Sequence, residues 1–434
     1  MRRNDSWLPT DRGSGRSSYY GRDRSGGLKK VGFGLAALVV IVSVLAVFQL
    51  LRKPPRPKFV ANVSARVTIP GTLPSIPWPT QGAADVGVLG IGTLGNHGLT
   101  SPIGLASVAK IITALVIVHD HPISLGVNGS TLTVSPSDVA TYQAMLNAQD
   151  SVMVVTQGEQ ISELQALEAL LIPSADNVAT MLANWDAGSV SAFAVKMNQV
   201  AKSLGMTSST YADPSGLDSN TAGTAPDQLL GAQALLSNPV LSQIVAMPQA
   251  TLPVAGTVYN VNALVGHDGI TGVKTGSTPA GGNFAFAGSV TLPPNSSLPS
   301  SIASNPTIVG VILGQQGYTP LPTALSAGQA VLDAFRKVPE NVLVFKAGQV
   351  IGTISAPGQA NVAAVATKAV TLVGWPGLVV QSRFERIANL PNSFAAGSRI
   401  GTLVVSLGQE TVSVPVVANA AVVAPSLTWR LKRL

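Results

Sequence analysis

Residues 106–118 read Ala-Ser-Val-Ala-Lys-Ile-Ile-Thr-Ala-Leu-Val-Ile-Val, an apolar run of helical length with Ser107 and Lys110 near its start. Because the run is apolar on nearly every side, it predicts the buried central helix of a domain. Residues three apart share a helix face, about 5–6 Å apart at their Cβ atoms. A serine hydroxyl needs a base within hydrogen-bond reach, and burial can lower the pKa of a lysine enough for this role. The run predicts a serine nucleophile with a lysine base; the alternative is a solvated polar helix start.

A second polar cluster, Ser-Ala-Asp-Asn at residues 174–177, lies between two apolar segments. The pattern Thr156-x-x-Glu159 is typical of a capping box and predicts that a helix begins there. That helix would end before the cluster, and another would follow over 178–185. The cluster is then either a simple N-cap or part of the chemistry, in which Ser174 relays a proton between the lysine base and a leaving amine.

A third cluster, Lys-Thr-Gly-Ser at residues 274–277, is followed by two β-type runs, 283–290 and 307–313. A loop rich in Pro and Ser separates these runs, which predicts two neighbouring antiparallel strands. The cluster itself is predicted to lie on a strand at the edge of the same sheet.

The third cluster offers groups that suit a substrate with a free carboxylate. Lys274 supplies a fixed cation and Thr275 a hydroxyl, while Gly276 lets a substrate backbone approach closely. The backbone amides of Ser107 and Ser277 are predicted to form an oxyanion hole.

The composition excludes several classes of function. With 434 residues, 46% of them hydrophobic and 11% charged, the chain can form two folded domains plus extensions. Eight of its 27 Lys and Arg residues precede residue 31, so the net charge of +7 gives no reason to expect a nucleic-acid partner. The absence of cysteine excludes disulfides, thiolate metal sites and a cysteine nucleophile. We expect no metal and no cofactor, and we interpret His119-Asp120-His121 as an ordinary helix end.

The pattern along the chain predicts five segments. Residues 31–51 carry no charge and are long enough to cross a hydrocarbon core of roughly 30 Å, whereas a cleaved signal peptide has a shorter apolar region. We expect an uncleaved plasma-membrane anchor, preceded by a disordered tail over 1–30. Basic residues are more frequent before the span than after it, so we expect this tail to lie in the cytoplasm. A Pro-rich extended stalk over 52–81, a catalytic domain over 82–337 and a β-domain over 338–434 would follow outside the membrane.

The three clusters, in this order, are typical of penicillin-binding proteins and class A β-lactamases. Two further stretches, residues 197–206 and 211–217, strengthen the likeness. Over residues 82–337 the chain resembles the low-molecular-mass serine-type D-alanyl-D-alanine carboxypeptidases of the penicillin-binding protein class. The resemblance implies an α/β (α+β) fold with a central antiparallel sheet and helices on both faces, and a small C-terminal β-domain.

The resemblance also implies an activity and a set of roles. The enzyme would remove the terminal D-alanine from the stem pentapeptide of peptidoglycan, and β-lactam antibiotics would acylate the same serine. Ser107 would be the acylated nucleophile, Lys110 its base, Ser174 the proton relay and Lys274 the carboxylate binder.

One position departs from the family pattern, which usually reads Ser-x-Asn in the second cluster. Here the third place is Asp176, and the amide follows at Asn177. An asparagine can donate a hydrogen bond to a substrate carbonyl, whereas an ionised aspartate can only accept one. Either Asn177 takes over this contact, or the carboxylate beside Lys110 favours its ammonium form and reduces activity. We favour the second account.

Other members of the superfamily fit less well. Class A β-lactamases need a glutamate between the second and third clusters, and residues 178–273 contain none. A class C enzyme or esterase would have a tyrosine in the second cluster. A D,D-transpeptidase or endopeptidase of the same fold stays possible, as does a catalytically impaired homologue that only binds the cell wall.

Overall fold

The computed structural model describes residues 25–279, 281–294 and 305–432. Within these residues the helices, labelled in chain order, are α1 (Ser25–Leu51), α2 (Lys110–Asp120), α3 (Pro136–Asn147), α4 (Glu163–Leu171), α5 (Asp176–Ala187), α6 (Val190–Ser203), α7 (Ala225–Ser237), α8 (Pro239–Val245), α9 (Pro320–Phe335) and α10 (Leu427–Leu431). The strands are β1 (Lys58–Ala61), β2 (Arg66–Thr68), β3 (Ala83–Val88), β4 (Gly92–Gly98), β5 (Ile103–Gly104), β6 (Thr131–Thr133), β7 (Gln160–Ser162), β8 (Ala222–Gly223), β9 (Gln249–Leu252), β10 (Gly256–Tyr259), β11 (Ile270–Thr278), β12 (Gly281–Ser289), β13 (Thr307–Gln315), β14 (Glu340–Phe345), β15 (Val350–Ser355), β16 (Val362–Ala366), β17 (Val370–Gly374), β18 (Val379–Arg386), β19 (Arg399–Leu407) and β20 (Glu410–Ala418).

A five-stranded antiparallel sheet forms the centre of the catalytic region, in the order β11-β12-β13-β3-β4. Alternate residues of a strand point to opposite faces, and β12 uses this alternation. Phe284 and Phe286 pack in the core that contains α9, whereas Ala285 and Ala287 face the core that contains α2. The small alanines leave room for the larger helical layer. Helices therefore cover both faces of the sheet, and the predicted fold class is confirmed.

Helix α2 is the central helix of the larger layer and packs against α4, α5, α6 and α7. Eight of its residues are buried, which agrees with the apolar run that predicted it. The predicted helix over 106–118 divides into a 3₁₀ helix, Ala106–Ala109, and α2 itself. Ser107 therefore lies in a tight turn that leads into the buried helix.

Two predicted helix starts differ from the structure, the first by seven residues and the second by two. The Thr156 amide does donate to the Glu159 side chain, but this pair closes a turn. The helix itself, α4, begins at Glu163, where Ser162 and Gln165 form the capping box. The next helix, α5, already begins at Asp176 and not at residue 178, so two residues of the second polar cluster belong to a helix.

The Pro-rich stretch 52–81 does not form the predicted extended stalk. Its strand β1 pairs with β15 and its strand β2 pairs with β18, so both belong to a seven-stranded sheet in the order β1-β15-β16-β20-β19-β18-β2. Further along, Ile76 and Trp78 pack against the core beside the five-stranded sheet. The C-terminal β-sheet predicted after residue 338 therefore includes residues from both sides of the catalytic region.

Helix α1 includes the predicted membrane span. Its segment Gly32–Leu51 has a mean hydropathy of 2.7 and is almost entirely exposed. The segment is long and apolar enough to cross a membrane, and a signal sequence can have the same length and apolarity. Residues 25–30 of the predicted tail belong to this helix, and residues 1–24 lie outside the described residues. Arg430 on α10 donates a hydrogen bond to the carbonyl of Leu50, at 3.1 Å, which ties the end of α1 to the C-terminal sheet.

Asp85 is a buried carboxylate in the central strand β3. Among the described residues, its Oδ1 atom has no hydrogen-bond partner. Burial raises the pKa of Asp85 to about 7, although the Val86 amide opposes the shift. Because this pKa exceeds that of an unfolded aspartate, Asp85 reduces stability as pH rises from about 4 to about 7.

We expect Asp85→Asn to raise the unfolding temperature at pH 8 more than at pH 5. The shift of Asp85 corresponds to a destabilisation on the order of a few kcal/mol above pH 7, and the amide removes it. Thermal unfolding of the wild type and the variant at both pH values provides the measurement. An equal change at the two pH values would show that Asp85 ionises normally in the folded protein.

Candidate active site

The turn that carries Ser107 is held to the central sheet by the side chain of Asn283. Ala106 has a left-handed backbone, with φ of 47°, which is uncommon for a residue other than glycine. The side chain of Asn283 on β12 donates to the carbonyls of Gly104 and Leu105, each at 2.9 Å, and accepts from the Gly314 amide at 2.8 Å. Asn283 therefore fixes the turn to two strands of the sheet. The sequence analysis did not identify this residue.

Lys110 lies one turn after Ser107 and is completely buried. Its Nζ atom is 2.7 Å from Ser107 Oγ, 2.5 Å from Asp176 Oδ1 and 3.2 Å from the carbonyl oxygen of Ser215. An ammonium group has three N–H donors, and these three acceptors satisfy all of them. In the neutral amine, two N–H groups can keep Asp176 and Ser215, and the lone pair can accept the Ser107 proton.

Asp176 and Lys110 form a buried ion pair. Burial lowers the pKa of Lys110, and Asp176 acts against this shift. Burial likewise raises the pKa of Asp176, and Lys110 opposes that shift. The second carboxylate oxygen of Asp176 accepts from the Ser151 amide at 3.1 Å. The carboxylate thus holds the lysine in place and favours its ammonium form, whereas burial favours the neutral amine that a base requires.

Asn177 points away from this cluster. Its Oδ1 accepts from the Met153 amide and its Nδ2 donates to the Met153 carbonyl, both at 2.9 Å. The amide is buried and both of its ends are used, so it holds the 151–153 segment against α5. In this structure Asn177 is therefore not placed to take over from the missing asparagine or to contact the substrate, in contrast to the prediction.

Ser174 and Lys274 form a second hydrogen-bonded pair in the same site. The Nζ atom of Lys274 donates to Ser174 Oγ at 2.9 Å and to the carbonyl of Thr275 at 3.1 Å. Ser174 has a φ of 65°, so it has a left-handed backbone conformation, as Ala106 does. Burial lowers the pKa of Lys274 well below its usual range, and the nearby Lys110 adds to this effect. Ser174 therefore contacts the lysine of the third cluster.

Strand β11 forms the wall of the site beside the Ser107 turn. It is the edge strand of the five-stranded sheet, as predicted. A Cβ atom at Gly276 would lie 2.8 Å from the Leu105 carbonyl and 3.1 Å from the Ser107 amide nitrogen. Glycine is therefore required here because β11 approaches the turn closely. The sequence predicts only that this glycine admits the backbone of a substrate. Thr275 is buried, and Ser277 is exposed.

The histidines of residues 119–121 take part in a different network. Lys196 bridges Asp120 and Asp186 at 2.7 and 2.8 Å, and His121 contacts Asp186 at 3.0 Å. This network joins the ends of α2 and α5 to α6, which agrees with the interpretation as a helix end. In the part of the chain that the structure describes, no group of three His, Cys, Asp or Glu side chains is arranged to hold a metal.

Comparisons with known proteins agree with this geometry. Residues 94–291 match the model of the D-alanyl-D-alanine carboxypeptidase family, Peptidase_S11. D-alanyl-D-alanine carboxypeptidase DacB2 of Mycobacterium tuberculosis is 34% identical over 182 residues, which cover 40% of this chain and 58% of that protein. A D-alanyl-D-alanine endopeptidase of Escherichia coli is 29% identical over 252 residues, which cover 56% and 76%.

The solved structure of penicillin binding protein 5 from Haemophilus influenzae has a similar fold. It matches with a TM-score of 0.54 and 20% identity over 81% of this chain and 99% of that one. The chain spans slightly less than three fifths of the length of the first two curated relatives, 58% and 59%. The segment 94–291, which matches the D-alanyl-D-alanine carboxypeptidase family model, contains the Ser107–Lys110 pair and Lys274.

Proposed function

We propose that this chain is a serine-type D-alanyl-D-alanine carboxypeptidase that removes the terminal D-alanine from peptidoglycan stem pentapeptides. The single observation that carries the proposal is the buried Lys110 amine, 2.7 Å from the half-buried Ser107 hydroxyl. In the neutral amine the two N–H groups donate to Asp176 and to the Ser215 carbonyl, so the lone pair points to Ser107. The family match over residues 94–291 supports the same reaction.

The acylation step follows from this arrangement. The neutral amine of Lys110 takes the hydroxyl proton of Ser107 as Oγ bonds to the carbonyl carbon of the penultimate D-alanine. The amides of Ser107 and Ser277 stabilise the oxyanion. The peptide C–N bond then breaks, and the leaving amine receives the proton that Lys110 took from Ser107, with the Ser174 hydroxyl proposed as the relay; this restores the neutral amine of Lys110. Water hydrolyses the ester, which releases the shortened stem peptide and restores Ser107. A β-lactam would follow the same path up to the ester.

Lys274 is proposed to bind the terminal carboxylate of the substrate. Burial and Lys110 disfavour the ammonium form of the free enzyme, and an anion beside Nζ favours it. Among the described residues Lys274 forms no direct ion pair, although the Asp176 carboxylate partly favours its ammonium form. Substrate binding would supply a direct charge partner. The exposed Ser277 and the hydroxyl of Thr275 are proposed to complete this subsite.

We expect Lys274→Ala to weaken the use of free-carboxylate substrates by roughly 2–5 kcal/mol in kcat/KM, the range for truncating one partner of a buried charge pair. Release of D-alanine from a pentapeptide and from its C-terminal amide is measured for both proteins. Amidation should impair the wild type far more than Lys274→Ala. Lys202→Ala, an exposed position on α6 with the same charge change, serves as the control. Equal effects of amidation on both proteins would contradict the role of Lys274.

The same assays test the proposed function itself. A wild type that releases no D-alanine and forms no penicillin adduct would contradict it and favour the wall-binding alternative. Some relatives are named endopeptidases, and a transpeptidase would share the same acyl-enzyme. Cleavage of cross-linked peptide dimers, or transfer to an added amine, would reveal these activities.

We further propose that α1 anchors the protein in the plasma membrane, with its N-terminus in the cytoplasm and the catalytic domain outside. The excess of basic residues before the span supports this orientation. The Arg430–Leu50 contact joins α10, which follows the seven-stranded sheet in the chain, to the end of α1, and it supports a position of this helix near the membrane. Gln409 in the β19–β20 turn donates to the Gly90 carbonyl at 2.9 Å, in the catalytic region. The β-domain would separate the site from the lipid.

A further inference from the structure

A loop over residues 213–221, between α6 and α7, packs directly on the Ser107 turn. Gly216 has a φ of 87°, and a Cβ atom there would overlap the carbonyl oxygen of Ala106, next to Ser107. The Pro214 carbonyl accepts from Thr113 on α2 at 2.6 Å, one turn after Lys110. The Ser215 carbonyl accepts from Lys110 itself. The position of this loop therefore affects both members of the catalytic pair.

The carboxylate of Asp213 organises the loop. Its Oδ2 accepts from the backbone amides of Ser215, Gly216 and Leu217, at 3.1, 2.8 and 3.0 Å, and from the Ser215 hydroxyl at 2.5 Å. Its Oδ1 accepts from the Thr221 hydroxyl at 2.6 Å and from the Asp218 amide at 3.3 Å. Burial alone would raise the pKa of Asp213, but these donors together lower it. The loop is thus built around an ionised carboxylate.

The direction of the Lys110 lone pair depends on this loop. A neutral amine has two N–H donors and one lone pair, so fixing both donors also fixes the lone pair. Asp176 holds one donor, and the Ser215 carbonyl holds the other. If the Ser215 carbonyl moves, the amine can rotate, and its lone pair no longer points to Ser107.

We propose that Asp213 is a positioning residue for acylation, which directs the lone pair of Lys110 to Ser107 by holding the Ser215 carbonyl. This inference rests on the proposed function and assigns a role that acts through Lys110. In Asp213→Asn, an amide N–H group replaces one acceptor oxygen and faces backbone N–H donors. The loop would then lose at least the hydrogen bond from the Asp218 amide, and its remaining hydrogen bonds would no longer be strengthened by a charged acceptor, while its length and glycine are unchanged.

The pH profile separates this role from a purely electrostatic one. Four charged groups surround Lys110: Asp176 from α5, Lys274 from β11, Asp150 from the loop after α3, and Asp213. Removing only the charge of Asp213 would favour the neutral amine, because a nearby anion stabilises the ammonium. That effect would move the rise in acylation rate to lower pH and leave the limiting rate at high pH unchanged. Loss of positioning lowers the limiting rate itself.

The test measures the rate of penicillin acylation of the full-length protein from pH 6 to pH 11. We expect the limiting rate of Asp213→Asn to be at least tenfold below that of the wild type. Asp218→Asn has the same charge change in the same loop, but within the described part of the chain the Asp218 side chain accepts hydrogen bonds from Asn220 alone. We expect this variant to keep the wild-type limiting rate. Asp213→Glu, which keeps the charge but shifts the carboxylate, should also lower the limiting rate.

Three results would overturn the inference: an unchanged limiting rate in Asp213→Asn, an equal loss in Asp218→Asn, or a wild-type limiting rate in Asp213→Glu. Thermal unfolding of each variant identifies a loss that comes from unfolding, and the rates are then compared at a temperature where all proteins are folded. Failure of the proposed function is distinct, because the wild type would then form no adduct at all.

Discussion

Replacing Ser107 with alanine is expected to abolish the covalent penicillin adduct while the protein stays folded. The hydroxyl is the group that would form the ester, and among the described residues it is the hydroxyl that lies within hydrogen-bond distance of Lys110 Nζ, at 2.7 Å. The loss of one hydrogen-bonding hydroxyl changes stability by only about 1 kcal/mol. Mass spectrometry of the intact protein after penicillin exposure measures the adduct, and thermal unfolding measures the fold.

Ser203→Ala provides the matched control for this prediction. Ser203 is an exposed serine at the end of α6 whose hydroxyl donates only to the Val200 carbonyl. We expect its adduct to equal that of the wild type. An adduct that persists in Ser107→Ala would assign acylation to another residue, and the role of Lys110 as its base would also be lost.

The central part of the site could be predicted because its signals are local. Ser107 and Lys110 are three residues apart, so one helical turn brings them together whatever the rest of the fold does. The edge position of Lys274 followed from two apolar runs that pair as β12 and β13. Such short-range patterns depend little on tertiary context.

The errors arose where tertiary contacts decide the outcome. Strands β1 and β2 have only four and three residues, and their partners β15 and β18 lie about 300 positions away in the chain. Prolines dominate the local pattern there, so the sequence indicated a stalk. For Asn177 the sequence shows an amide but not its direction, which the Met153 backbone determines.

Two helix-start signals six residues apart could not be distinguished by pattern alone. Thr156 and Glu159 do make the predicted contact, yet Ser162 is the residue that caps α4. Asp213 carried a weak local signal, since Asp-Pro-Ser-Gly is typical of a turn. Its importance depends on the tertiary structure, in which the loop contacts both the Ser107 turn and Lys110.

The departure at Asp176 leads to the last prediction, which concerns the pH dependence of acylation. The acylation rate follows the fraction of neutral Lys110, so it should rise toward alkaline pH as the lysine loses its proton. Burial lowers the pKa of Lys110, and the Asp176 carboxylate, 2.5 Å from Nζ, limits this shift. An anion at this distance stabilises the ammonium form.

We therefore expect Asp176→Asn to move the rise in acylation rate to lower pH and to increase the rate at neutral pH. The amide oxygen can keep its contact with Lys110, but the amide can no longer accept from both Lys110 and the Ser151 amide. The lost acceptor should reduce stability by about 1–3 kcal/mol. Acylation rates from pH 6 to pH 11, with thermal unfolding at each pH, measure the two effects separately.

Asn177→Ala is the matched control, because it removes a neighbouring buried side chain that contacts only the Met153 backbone. We expect it to lower the unfolding temperature and to leave the pH of the rise unchanged. A profile identical for the wild type and Asp176→Asn would show that the carboxylate does not set the protonation of Lys110. A shift in Asn177→Ala alone would restore the account in which that amide serves the substrate. The pH profiles of these two variants therefore decide whether Asp176 keeps Lys110 in its ammonium form or has no effect on the acylation rate.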